Sequence, residues 1–296
     1  MTNNALTTKK ETVDIVVERV RAFQSNGELT LPANYVPQNA LKSAWLILQE
    51  TVNRDKKPVL ENCTKESIAN SLLSMVVQGL NPDKKQCYFI AYGSKLLMQR
   101  SYFGSMAVAK MVNENIEDIF GDVVYEGDEF EYSKIRGKTV VTKHIQKIEN
   151  VNKSKIIAAY ATILYFSGKE ETTILTLEQI KQAWKQSQMN PVGDNGVIRS
   201  GSTHDKFMAD MCMKTVINKA CKMVINSSDD RSIIGKFARQ SDEVEARVEV
   251  DIASNANLRL VDIQSEEPEE EIVESEIVED VNLIVQADKP TDGPDF

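Results

Sequence analysis

The sequence predicts an α+β fold, and three observations carry that prediction. Apolar residues recur at helical spacing at both ends of the stretch from Met1 to Gln240. Between those ends the chain breaks into short alternating runs punctuated by glycine-bearing turns. From Ser241 onward the composition turns acidic and keeps no sustained period.

Two helical runs, "TVDIVVERVRAF" and "ALKSAWLILQETV", flank the turn-rich "SNGELTLPANYVPQ" and define an N-terminal helical region, 1–60, for packing or assembly. Thr64 reads as the N-cap of "TKESIANSLLSMVVQGL", with Gly79 where that helix stops. Asn81-Pro82-Asp83 forces a turn, and "QCYFIAY" and "KLLMQRS" form a hairpin closed at Gly93-Ser94. Gly104 is expected to open the next helix, "SMAVAKMVNEN". Strand-like runs follow around Gly127-Asp128, Arg136-Gly137 and Ser167-Gly168. The helix "LEQIKQAWKQSQ" then leads through the loop "MNPVGDNGVIRSGST" to a last long helix from about His204 to Asn226. At 100° per residue, Ala209, Cys212, Met213, Val216, Ile217, Ala220, Met223 and Val224 share one arc of it. Lys214, Asn218, Lys219 and Lys222 take the opposite side with Thr215 and His204, so one face is packed and the other basic.

The net charge of −9 conceals two parts. Residues 241–296 hold 18 acidic against three basic residues, a net of −15; residues 1–240 hold 32 basic against 26 acidic, a net of +6. The expected organisation is therefore an α+β core at 61–240 behind the helical region, followed by a disordered acidic tail at 241–296. The tail reads either as a docking or self-regulating arm or as a solubilising end.

Several chemistries find no support. Cys63, Cys87, Cys212 and Cys221 make no CxxC pair, and with only His144 and His204 beside them they offer no metal-like cluster. They read as reduced, buried thiols, and no metal or cofactor is expected. No run is long and apolar enough for a membrane span, and the N-terminus lacks a secretory pattern. GxxxxGK[ST], GxSxG, HExxH and GxGxxG are all absent. Asp83 reads as a turn residue, and Glu126, Asp128 and Glu129 as a solvated turn, rather than as a nuclease's metal ligands.

A polyanion partner remains. Lys134, Arg136, Lys138, Lys143 and Lys147 populate one β segment, and the even spacing of Lys143 and Lys147 would place both on one side of a strand. Together with the basic arc of the last helix they would line a groove for phosphates. At "KLLMQRSYFGSMAVAK", Tyr102 and Phe103 stand among Lys95, Arg100 and Lys110, the mixture of stacking faces and cations that single strands favour. Tyr88 and Phe103 are expected in the core, whereas Tyr102 is as readily core as contact. Gly104 would permit close backbone approach at a helix N-terminus, where anions are favoured.

Three segments, in order, resemble the RecT family of phage single-strand annealing proteins. "GLNP" at 79–82 with "YFIAY" resembles the family's Gly-Leu-x-Pro and strand. "YFG" at 102–104 stands at its Tyr-basic-Gly triplet, and "EGDEF" at 126–130 is a close match. "HDKFMADMCMKTVINKACK" resembles its Met-x-Lys-Lys-Thr helix. Phe103, Met213 and Asn218 stand where the family has basic residues. The resemblance implies a β-β-β-α type core, assembly into rings or helical filaments, and ATP-independent annealing in homologous recombination beside a phage exonuclease or a host single-strand-binding protein. It also implies a cytoplasmic setting in a bacterial host, and no catalytic centre. The expected DNA contacts are Lys95, Arg100, Tyr102, Lys110, Lys138, Lys143, Lys147, Lys214, Lys219 and Lys222, facing single-stranded DNA and the annealed duplex as one positive, partly aromatic trough. The alternative is a passive single-stranded DNA-binding protein without annealing activity.

Overall fold

A computed structural model describes residues 2–186, 191–193, 195–229 and 232–242. It is α+β, with antiparallel sheets. The N-terminal part holds α1 (Thr2–Ser25), α2 (Pro37–Glu50), α3 (Val59–Asn62) and α4 (Lys65–Val77). Thr64 caps α4 by accepting from the Ser67 amide, and Gly79 beyond its end takes the left-handed φ of 62° that a side chain would resist. Trp45, Leu41 and Leu48 of α2 and Ile68, Leu72 and Met75 of α4 are buried in the core.

The hairpin of β1 (Cys87–Tyr92) and β2 (Lys95–Arg100) closes at Gly93-Ser94, as its sequence predicts. Its alternation buries Cys87, Phe89, Leu96 and Met98. The Ser67 and Ser71 hydroxyls of α4 satisfy the Leu96 amide and carbonyl, tying the strand to the helix. The next helix, α5 (Tyr102–Val112), starts before Gly104, because the Ser101 hydroxyl accepts from the Gly104 amide and so caps it. Gly104 is buried in the first turn, where an added Cβ would collide with the Gln86 carbonyl oxygen. The close approach it allows is thus to the chain's own backbone.

The larger sheet orders β3 (Ile116–Tyr125), β6 (Ile156–Tyr165) and β7 (Glu170–Thr176), with β4 (Glu129–Ile135) and β5 (Lys138–Ile145) making a separate hairpin. α6 (Leu177–Lys185) opens with a capping box between Thr176 and Gln179. The expected single last helix is divided into α7 (Thr203–Lys206) and α8 (Met208–Asn226), because the backbone at Phe207 leaves helical geometry (φ −120°, ψ 48°). α8 packs on β3, β6, β7 and α5. Small residues permit this: a Cβ on Gly121 would stand 2.6 Å from the Tyr160 carbonyl oxygen and 3.2 Å from Ile217 of α8. Cys212, Val216, Ile217 and Ala220 are buried as the angular pattern predicts. Met223 departs from it at 62% exposure, because it flanks a cavity of about 540 Å³ between α8, the sheet and the hairpin turn at Gly137. A further helix at 233–242 follows α8 and crosses the expected division at 240. It buries Ile234 and Ala238, and Phe237 meets Phe23 of α1 edge-on at 6.2 Å.

All four cysteines are buried and free, and burial pushes the Cys87, Cys212 and Cys221 thiols up to about 12. Among the described residues no helix is long and apolar enough to cross a membrane.

Candidate nucleic-acid interface

Strand β2 delivers the chain to Ser101, and the cap there fixes the first turn of α5, so Tyr102 and Phe103 emerge side by side beside β1. Their ring centroids are 3.9 Å apart at a tilt of 34°. Phe103 is 44% and Tyr88 51% exposed, so both leave the core expected for them. In Tyr88 the reason is strand alternation: Cys87 and Phe89 take the inner face of β1, which turns Tyr88 outward. Tyr102 is half-buried, and the Lys214 ammonium of α8 lies 5.9 Å from its ring centroid, within cation–π range. Burial, then the Asp210 carboxylate and Tyr88, push the Tyr102 phenol above its usual range. His204, on α7, meets Trp184 edge-on at 4.6 Å; burial and then Lys214 hold its imidazole below its usual value. The result is an aromatic surface carrying one cation, with the exposed Asp210 near its edge.

Such a surface offers stacking faces and a phosphate partner. No cluster of three metal-ligating side chains occurs among the described residues. The family model matching this sequence is described as the RecT family, over residues 38–255. The chain belongs to the RecT family. Its members are phage recombinases that anneal single strands in DNA recombination rather than performing bond chemistry. The comparison with curated proteins found no match.

For this RecT-family chain the ten expected contacts do not make one trough. Two pairings form instead, Lys214 with Tyr102, and Arg100 with Lys222 across the Asp242 carboxylate. Arg100 is not open: its side chain is 5% exposed and bonds Gln78 Oε1, the Ala238 carbonyl and the Asp242 carboxylate. Lys222 lies 3.7 Å from the same carboxylate. Lys95 is at the other end of β2, beside the hairpin turn. Lys110 pairs with Asp118 at 2.9 Å and Lys138 approaches Glu171 at 3.8 Å. Lys143 pairs with Glu129 at 2.6 Å, which holds that carboxyl below its usual range. Lys147 shares no strand face with Lys143: β5 ends at Ile145, and Lys147 stands just before the following 3-10 turn. Lys219 is exposed on α8. Among the described residues, no carboxylate pairs with Lys95, Lys147, Lys214 or Lys219.

Of the acids of "EGDEF", Glu126 and Glu129 are exposed as expected, and Asp128 is not. The Asp128 side chain is buried rather than solvated, accepting from the Tyr125 amide, Asn150, Gln146 and His144. Burial opposes its ionisation, but these hydrogen bonds outweigh it and hold the carboxyl below its usual range. Asp83 accepts from the Ser43 hydroxyl, in keeping with a turn residue. The helix at 233–242, unexpected from the sequence, has its own signal in Ile234, Phe237, Ala238 and Ser241 at helical spacing. The tail beyond Asp242 lies outside the described residues.

Proposed function

We propose that this chain anneals complementary single strands of DNA without ATP, holding one strand across Tyr88, Tyr102 and Phe103 with Lys214 as a phosphate partner. The observation that carries this reading is the pairing of half-exposed aromatic rings with a cation at the mouth of α5. Stacking is sequence-tolerant, and a backbone held by few charges leaves base edges free to find a complement. Pairing then supplies the driving energy, with mean stacking of about 1.4 kcal/mol per step of duplex. On this reading β3, β6 and β7 with α8 are the β-β-β-α core, and the protein acts as a ring or filament, where linked weak sites gain avidity. Exposed Val36, Leu46, Ile47 and Val52 around α2 support a packing role for the N-terminal region. A phage exonuclease or host single-strand-binding protein is the partner class this function requires.

The test mixes two labelled complementary oligonucleotides with the full chain and no nucleotide triphosphate. Wild type is expected to accelerate annealing, and the double variant Tyr88→Ala with Phe103→Ala to lose most of that acceleration. Stacking is worth about 1–3 kcal/mol per base, so affinity should fall roughly ten-fold or more. A wild-type chain that binds the strands yet slows their annealing would be a passive binder, and the annealing reading would fall.

A further inference from the structure

The contact that closes off Arg100 is unusual for a surface protein–DNA candidate. Two cations from different elements, Arg100 of β2 and Lys222 of α8, face one carboxylate, Asp242, on the helix at 233–242. The Asp242 side chain is 16% exposed. Its Oδ1 takes the Arg100 hydrogen bond, while its Oδ2 is buried without a hydrogen-bond donor. Arg100 Nε is likewise buried without a partner. A buried pair with open valences on both sides is incompletely compensated, so the carboxylate is a poor match for the cations it meets. A phosphate diester, with two charged oxygens, carries the acceptors that Arg100 Nε and Lys222 lack here.

The location matters as much as the charge. Arg100 is two residues before Tyr102, and Lys222 is eight residues, just over two turns, beyond Lys214 on α8. Both cations thus belong to the two elements, the β2–α5 junction and α8, that carry Tyr102 and Lys214. The helix carrying Asp242 is held at that end by polar contacts: Ser241 Oγ lies 3.1 Å from Ser74 Oγ and accepts from Gln78 Nε2 at 3.0 Å. Further back along the helix Ile234 and Ala238 are buried, and Ile233 and Phe237 pack partly buried against the core. The Ser241–Asp242 end, held by polar contacts, can open without withdrawing those apolar side chains.

We propose that Arg100 and Lys222 form a second phosphate site of the same interface, and that Asp242 occupies it as a tethered anion, so that the helix at 233–242 is an autoinhibitory strap. Strand binding displaces the carboxylate, and Gln78 keeps Arg100 aimed by its 2.8 Å hydrogen bond. The strap limits binding to strands long enough to fill both the aromatic surface and the Arg100–Lys222 site. This rests on the annealing reading above.

The test uses the full chain and a fluorescein-labelled oligothymidylate, titrated at several salt concentrations. Asp242→Asn removes the competing charge and is expected to tighten binding several-fold, and to steepen the salt dependence by about 0.7 for each further phosphate engaged. A second variant works in the opposite sense and does not depend on removing a buried charge. Ser74→Cys with Ser241→Cys places two thiols where hydroxyls now sit 3.1 Å apart, and the native cysteines are buried. Oxidised, this variant pins the strap and is expected to bind several-fold more weakly than when reduced. Unchanged affinity and slope in Asp242→Asn, or equal affinity in the oxidised and reduced double cysteine variant, overturns the proposal and makes Asp242 a purely structural anchor. A chain that anneals strands but ignores both changes keeps the aromatic site and loses the strap. A wild-type chain that binds no single strand loses both.

Discussion

A methyl group on Gly104 would run into the Gln86 carbonyl oxygen, and neither can step aside, because the Cβ is fixed by the helix and the oxygen belongs to backbone. The first turn of α5 is pressed against the segment entering β1, and that contact sets where Tyr102 and Phe103 project. Gly104→Ala is therefore expected to destabilise the fold by about 1–3 kcal/mol, as overpacking does. A urea midpoint unchanged from wild type would show that the backbone relaxes freely there. Aromatic and cationic residues at this junction are legible in the sequence, but the role of the glycine is not. Its collision partner lies 18 residues earlier, and only the folded hairpin brings the two together. Arg100 shows the same limit. Its charge next to Tyr102 reads as a contact, yet Gln78 and Asp242 claim it, and neither is near it in sequence.

At the scale of elements, the hairpins and helices follow local rules and were foreseeable from them. Thr64, Gly79, Gly93-Ser94 and Arg136-Gly137 mark boundaries by cap and turn chemistry that acts within a few residues. What joins one element to another is less local. The β4–β5 hairpin is fastened to the main sheet through Asp128, His144 and Tyr160: Asp128 Oδ2 approaches His144 Nε2 at 3.4 Å, and His144 Nδ1 approaches the Tyr160 hydroxyl at 3.0 Å. The ionised Asp128 is favoured in the fold, so its stabilisation is complete above the ordinary aspartate value near 3.9 and is lost as pH falls through the depressed one. Asp128→Asn keeps the shape but turns an acceptor into a donor facing donors, at a cost of about 1–3 kcal/mol near neutrality. The variant should also lose part of the acid-side decline, so that its urea midpoint changes less than that of wild type between pH 6 and pH 3. Parallel declines in the two proteins would remove Asp128 from the acid response.

For the whole molecule, the division of charge is the feature that composition reveals and geometry qualifies. A net of +6 over residues 1–240 is consistent with a polyanion partner, but charge sums do not say which cations are available. Carboxylates on neighbouring strands and helices take up Lys110, Lys138, Lys143 and Lys222, so a backbone phosphate arriving there must displace an acid already in place. Lys214 meets an aromatic ring instead, and its charge is offered to whatever stacks on that ring. The two kinds of lysine should therefore respond differently to neutralisation. Lys214→Gln is expected to weaken single-strand binding and to reduce the salt slope by about 0.7, one phosphate contact. Lys143→Gln, which frees Glu129 but removes no open cation, is expected to leave the slope within error of wild type. Titrations of a labelled oligothymidylate between 50 and 200 mM salt distinguish these outcomes, a range over which even a few phosphate contacts change affinity markedly. Equal losses in slope for the two variants would mean that the hairpin lysines do face the strand, and that the interface extends from the mouth of α5 onto β4 and β5.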